Sequence, residues 1–209
     1  MNYNIIASGS DGNCTVLNDI LVIDMGISFK KLEPYYRNLE IVLLTHIHSD
    51  HFKKATIKKL AAARPFLRFG CPAWLYDEVL DCEVNQNQID EYMMNCAYCY
   101  KNYTIIPFKL SHNVSNCGYK IHFSDGNKVI YATDTNSIST EAKNYDLYLI
   151  EANFEEEEIR QRISAKQLTG EFIYEYNVLN NHLSLKKCND FLYSNMGRDS
   201  TYVYMHQHS

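Results

Sequence analysis

The chain has 209 residues, 46% of them hydrophobic and 22% charged, with a formal net charge of -5 at pH 7. That is room for one large domain or two small ones, with the composition of an ordinary globular protein. No window reaches the ~18 uninterrupted apolar residues of a membrane span, and no global basic footprint is present for tight nucleic-acid binding. Residues 1–6 carry neither a basic n-region nor a long apolar core of a secretory signal. The 7 cysteines, Cys14, Cys71, Cys82, Cys96, Cys99, Cys117 and Cys188, are odd in number and irregularly spaced. They read as reduced thiols, so a cytoplasmic location is expected. Cys96 and Cys99 form a CxxC pair without the second pair that a zinc knuckle needs, and are read as small apolar residues. No long Gly/Pro/Ser-rich stretch and no repeat interrupts the chain, so a single domain over 1–209 is expected.

In chain order, short strands are predicted at 4–7, 14–17 and 21–24, separated by turn-forming clusters at 8–13 and 18–19. A helix over 29–37 follows, with Ser28 as N-cap, then an apolar strand at 41–44. A second helix covers 53–63, although Ala55, Ile57, Leu60 and Ala61 do not lie on one clean face. Strands return at 67–69 and 104–110. Those at 119–123 and 128–133 flank Ser124, Asp125, Gly126 and Asn127, which have hairpin-turn chemistry. Another apolar strand spans 146–151. Helices are predicted at 154–163, 165–176 and 185–194, and a last strand at 201–205. Strands, a helix, strands again and then helices point to an α/β protein, two sheets face to face with helices outside. That is a four-layer αβ/βα sandwich.

The chemistry concentrates after the strand at 41–44. His46, His48, Asp50 and His51 stand within six consecutive residues, in a chain with only 8 histidines. Imidazoles and carboxylates are the ligands of zinc-type sites. On an extended backbone His46 and His48 point the same way and can share one ion; Asp50 and His51 lie past the bend and can turn to a second. Three further residues follow apolar strands: His112, Asp134 and His206. Two ions need about three to four protein ligands each and an anionic bridge. One ion would take His46, His48 and His112. The other would take Asp50, His51 and His206, with Asp134 as the bridge. A hydroxide between two divalent ions would be the nucleophile. Zinc fits these ligands, and manganese or iron would fit them too. His208, two residues beyond His206, could substitute for it, and His122 sits mid-strand and reads as structural.

Over nearly its full length the chain resembles the metallo-β-lactamase-fold hydrolases. The matching pieces are Ser8-Gly9-Ser10-Asp11-Gly12-Asn13, the segment at 21–26, the HxHxDH loop, His112, the segment at 131–135, Glu151-Ala152-Asn153, Asn181-His182-Leu183-Ser184 and His206. The start at 8–13, the Glu-Ala-Asn segment and the late His-Leu-Ser with its strand-end His look like the bacterial branch of small phosphodiesterases and exonucleases, including the phosphonate-pathway cyclic phosphodiesterase. True β-lactamases usually carry Cys where this chain has Asp134, which disfavours antibiotic hydrolysis. The resemblance implies that His206 is a metal ligand and that His182 acts at the substrate, as acid or phosphate binder, with the reverse assignment open. Asp50 is a catalytic candidate beside its ligand role. Asp24 and Glu151 are implied to support the ligands from outside. The family usually has Gly three residues after the last His of the motif; here the residue is Lys54.

The expected activity is dinuclear, metal-dependent hydrolysis of a phosphodiester, either a small molecule or a nucleic-acid end, with no membrane and no obligate protein partner. Thioester or lactone hydrolysis of the glyoxalase type, and a non-catalytic metal-binding sensor or scaffold, are the alternatives. Lys54 and Lys58 could attract phosphate, but a solvated helix face is the simpler reading. Tyr92, Tyr98, Tyr100 and Tyr103 could stack bases, or simply pack.

Overall fold

The computed structural model describes residues 1–207, so His208 lies outside the described residues. The chain forms two compact units, Met1–Cys96 and Ala97–Ser209. Each contains one six-stranded sheet. Among the described residues no helix is long and apolar enough to cross a membrane.

In the first unit the sheet runs β1 (Tyr3–Ala7), β2 (Cys14–Leu17), β3 (Leu21–Ile23), β4 (Ile41–Leu43), β5 (Arg68–Pro72) and β6 (Ile89–Tyr92), in that order. The first three strands pair antiparallel through tight turns, and β3, β4, β5 and β6 pair parallel. β2, β3 and β4 are buried at every position, which is why they read as apolar runs rather than alternating ones. The helix expected at 29–37 closes after one turn, α1 (Phe29–Leu32). Pro34 has no N–H to continue the ladder, and Tyr35 and Tyr36 both donate to the Leu32 carbonyl instead. Ser28 is its N-cap by position but makes no side-chain cap bond.

Helix α2 (Lys54–Ala63) does have a clean inner face: Thr56, Ile57, Leu60 and Ala61 are buried. The sequence reading missed it by counting Ala55, which is exposed, and omitting Thr56. The Thr56 hydroxyl donates to the Ile27 carbonyl at 2.6 Å, so its burial leaves no polar group unsatisfied. Helix α3 (Ala73–Leu80) and strand β6 were not anticipated.

In the second unit β7 (Tyr98–Cys99), β8 (Tyr103–Leu110), β9 (Asn116–Phe123) and β10 (Lys128–Ala132) form an antiparallel meander, and β11 (Leu147–Glu151) and β12 (Thr201–Met205) add in parallel beyond β10. Gly126 takes φ +93 in the predicted turn between β9 and β10, where glycine carries no steric cost. The helices expected at 154–163 and 165–176 are divided differently. α4 (Glu156–Thr169) runs through position 164, because Ser164 donates back to the Arg160 carbonyl at 3.0 Å rather than capping a new helix. It ends at Gly170, φ +73, the left-handed stop that favours glycine. α5 (Glu175–Asn181) and α6 (Leu185–Asn195) follow.

Candidate metal centre

Every candidate residue stands at or just past the carboxyl end of a strand, or on the short turn that leads into α6. In parallel sheets this is the edge at which loops build sites. In the first unit Asp24 follows β3, and the loop carrying His46, His48, Asp50 and His51 follows its parallel neighbour β4. In the second unit Asp134, Glu151 and His206 follow or end three adjacent parallel strands, β10, β11 and β12.

In the first unit, Asp24 is fully buried and organises the histidine loop. Its carboxylate accepts from His51 Nδ1 at 2.7 Å, from the Thr45 N–H at 3.0 Å and from the Thr45 hydroxyl at 2.9 Å. Because the hydroxyl donates to Asp24, its oxygen accepts from His46 Nδ1 at 3.0 Å. One carboxylate thus fixes two imidazoles, and both present Nε2. His46 Nε2 lies 3.2 Å from His48 Nδ1; two nitrogens bound tetrahedrally to one zinc would be separated by about 3.3 Å. The Asn13 amide lies 2.7 Å from His51 Nε2 and 3.4 Å from Asp50 Oδ2.

The loop's backbone is locked as well. Asn13 N–H donates to the Asp50 carbonyl at 2.6 Å, Gly26 N–H to the Asn13 carbonyl at 2.9 Å, and Met25 N–H to the His51 carbonyl at 2.8 Å. A Cβ on Gly26 would stand 1.6 Å from the Asp50 carbonyl oxygen, and one on Gly12 2.7 Å from the Gly26 oxygen. These contacts are what residues 8–13 and 21–26 of the family motif do here. Lys54, where the family usually has Gly, is the first residue of α2. It pairs with Glu78 at 2.6 Å, and Lys58 pairs with Glu83; both lysines therefore serve contacts between α2 and the segment of α3 and its following turn.

In the second unit, the buried Glu151 plays the corresponding part. Its Oε2 accepts the Thr135 N–H at 2.8 Å and the Leu183 N–H at 3.2 Å. Its Oε1 accepts from His182 Nδ1 at 2.7 Å and His206 Nδ1 at 3.0 Å. Asp134 Oδ1 lies 3.6 Å from His206 Nδ1 and 3.8 Å from His182 Nδ1, and 3.9 Å from His112 Nε2. His112 anchors its Nδ1 on the Asn181 carbonyl at 3.1 Å. Asp134, Glu151, His182 and His206 bring one ligand atom each within 4.8 Å of one another, a grouping that can hold a metal ion. His206 is the deeper of the two late histidines, with 6% of its side chain exposed against 16% for His182. The His-Leu-Ser segment has a local logic: His182 turns to Glu151, Leu183 is buried, and Ser184 caps α6 by accepting the Lys187 N–H at 3.2 Å.

Three residues of these clusters have left-handed backbone without being glycine: Asp24 at φ 61, Asp134 at φ 55 and His206 at φ 51. Such conformations cost about 1–3 kcal/mol and persist where neighbours enforce them. The enforcing residues escaped the sequence reading. Asn116 donates to the Asp134 carbonyl at 2.7 Å, and Asn153 to the His206 carbonyl at 2.8 Å. Asn153 stood in a motif segment without an assigned task; Asn116 lay before the strand predicted at 119–123 and carried no sequence signal.

The donor set suits divalent metal chemistry. Five imidazoles, His46, His51, His112, His182 and His206, place Nδ1 on a protein acceptor, which leaves Nε2 as the lone-pair nitrogen in each. Among the described residues no cysteine joins a grouping that can hold a metal ion. Burial, and then the charge of Asp24, pushes the Cys14 thiol far up, and burial with Glu151 pushes Cys188 up to about 12. All seven cysteines are unbridged. His122 contacts the Tyr145 hydroxyl at 2.7 Å, inside its own sheet packing. Tyr92 and Tyr103 are buried, and Tyr103 packs on Tyr100 and Phe123.

The family described as "Beta-lactamase superfamily domain" matches residues 21–183. Among characterised proteins, the exodeoxyribonuclease WalJ of Streptococcus pneumoniae is 26% identical, covering 86% of this chain and 72% of its own. The exodeoxyribonuclease YycJ of Bacillus anthracis is 22% identical, covering 77% and 66%. Among solved structures, the metallo-β-lactamase fold protein YhfI of Bacillus subtilis superposes with a TM-score of 0.71 at 16% identity, covering 98% of this chain and 85% of its own. The short form of human tRNase Z gives 0.74 at 13% identity, covering 99% and 92%. These two likenesses concern the fold.

Proposed function

The chain belongs to the beta-lactamase superfamily, and from that premise we propose that it is a dinuclear metal-dependent hydrolase of phosphodiesters, acting on nucleic-acid ends or nucleotide-like esters. The two units act as one domain in this reading. His46, His48, Asp50, His51, His112, Asp134 and His206 supply the ligands, with zinc, manganese or iron as the ions. When bound, the ions supply Lewis acidity, lowering the pKa of water and offsetting charge that develops on phosphorus.

The protein's own residues do the rest. Asp24 holds His46, through Thr45, and His51 in the tautomer that offers Nε2. Glu151 does the same for His206. His182, the shallower of the pair on Glu151, keeps Nε2 for the substrate; in its imidazolium form, with Nδ1–H still on Glu151, the Nε2–H donates a proton to the leaving oxygen or a hydrogen bond to a phosphoryl oxygen. Asp50 orients the attacking water. The relatives named as exodeoxyribonucleases support a nucleic-acid substrate.

The observation that carries the reading is the common anchoring of five imidazoles through Nδ1. Zinc- or manganese-loaded protein should hydrolyse bis(4-nitrophenyl) phosphate, and His48→Ala should lose that turnover. Two bound metals per chain with no ester turnover, or with thioester turnover only, would overturn the phosphodiesterase assignment.

A further inference from the structure

Beside His112 the second unit opens a cleft of about 570 Å³, formed where the loop after β8 meets the loop after β10. Resting on the phosphodiesterase reading and deepening it, we propose that this cleft is the subsite for the sugar-phosphate flanking the scissile bond.

Its walls are set before any ligand arrives. Ser111 N–H donates to Thr135 Oγ1 at 3.0 Å, and Asn136 N–H returns to the Ser111 carbonyl at 3.0 Å. Asn136 is tied in turn to α5 and α6, its amide to the Asn180 carbonyl at 2.6 Å and its own carbonyl to Lys187 Nζ at 3.0 Å. Two loops joined to each other and to two helices hold a fixed shape, and preorganisation lowers the ordering cost of binding.

The lining says what it takes. Ser111, Ser115, Ser137 and Ser139 bring hydroxyls, and Asn113 an amide. Lys109 adds a cation, and none of the lining residues is a carboxylate. Apolar side chains come only from Leu110 and Val114. An acyl chain would need apolar walls, and a base would need an aromatic platform. Hydroxyls, an amide and an unopposed lysine are the groups that contact sugar and phosphate oxygens.

The test uses the metal-loaded full chain and three chromogenic esters: thymidine 5′-(4-nitrophenyl phosphate), its 3′ isomer, and bis(4-nitrophenyl) phosphate, which has no nucleoside. The wild type should prefer one thymidine ester over the bis ester in kcat/KM. The Ser115→Ala/Ser137→Ala/Ser139→Ala variant, at exposed positions, should lower that preference about tenfold, mainly through KM, as expected for the loss of a few neutral hydrogen bonds. Lys109→Ala should lower it too. Melting temperature and metal content are read alongside. Turnover of all three esters without a nucleoside preference, or a preference kept by both variants, would overturn the subsite. Turnover of none would overturn the phosphodiesterase reading and the subsite with it.

Discussion

Glu151 accepts two imidazole protons and two backbone protons while fully buried. A glutamine there offers one acceptor oxygen and an amide that cannot accept, so either the two imidazoles that share Oε1 or the two backbone N–H groups that share Oε2 lose their acceptor. Glu151→Gln should cut kcat on bis(4-nitrophenyl) phosphate about 10–100-fold, the usual effect of removing an outer partner of a ligand; an unchanged rate would remove Glu151 from the machinery. His122 provides a contrast away from the site. Burial, then the charges of Lys128 and Lys120, holds its pKa below the usual imidazole value. Its folded pKa is thus below its unfolded one, so its stabilising share is complete above the unfolded pKa near 6.5 and is lost as pH falls through the depressed value. His122→Gln should flatten the loss of stability on acidification, measured by urea unfolding from pH 7 to 5. The same melt against pH as the parent would sink that account. At this scale the ligand types were legible, because three imidazoles and a carboxylate in six positions leave few other uses. The left-handed backbone of Asp134 and His206 was not, since the groups that hold it, Asn116 and Asn153, are distant in sequence.

Between elements, the tightest fit lies where the turn before β2, the segment after β3 and the metal loop after β4 meet. Gly26 has no room for a Cβ, with the Asp50 oxygen at 1.6 Å and Asn13 N at 2.8 Å. Both obstacles are backbone, so they cannot swing aside. Gly26→Ala should cost more than the ~1–3 kcal/mol of ordinary overpacking and lower the melting temperature by more than about 6 °C, at about 2–4 °C per kcal/mol for a chain of this size. Gly126→Ala is the internal comparison: nothing lies within 4 Å of its Cβ, and only φ +93 opposes it, so a loss near 1 kcal/mol is expected. Equal losses from both variants, in the same thermal melt, would refute the close-approach argument. Most strands were legible because their apolar runs and turn residues agree; β6 and β7, with Asp90 and Glu91 in one and two residues in the other, offered no such run. The helices were less so, for identifiable reasons. Pro34 cut one short, Ser164 bonded backwards instead of capping, and Thr56 hid an inner face behind a polar name.

For the whole molecule, the two halves use one plan that the sequence does not display. Each sheet starts antiparallel and ends parallel, and each has one buried carboxylate, Asp24 or Glu151, gripping the imidazoles at the carboxyl ends of its parallel strands. No sequence repeat marks this, because backbone pairing and a single acid are all the halves share. The proposed ligand set draws His46, His48, Asp50 and His51 from one unit and His112, Asp134 and His206 from the other. Ions held by such a set stabilise only the state in which all ligands are ordered, by RT ln(1 + [metal]/Kd), or about 4 kcal/mol at a thousandfold excess over Kd. Chelation should therefore lower the melting temperature by about 8–16 °C, and zinc or manganese should restore it. In the metal-loaded protein, both units should unfold in one calorimetric transition. Asp134→Ala, which removes the carboxylate proposed as the bridge, should bind fewer metals and recover only part of the shift. A melting temperature indifferent to chelator and metal, or a metal shift undiminished in Asp134→Ala, would argue that the seven residues are not a common ligand set.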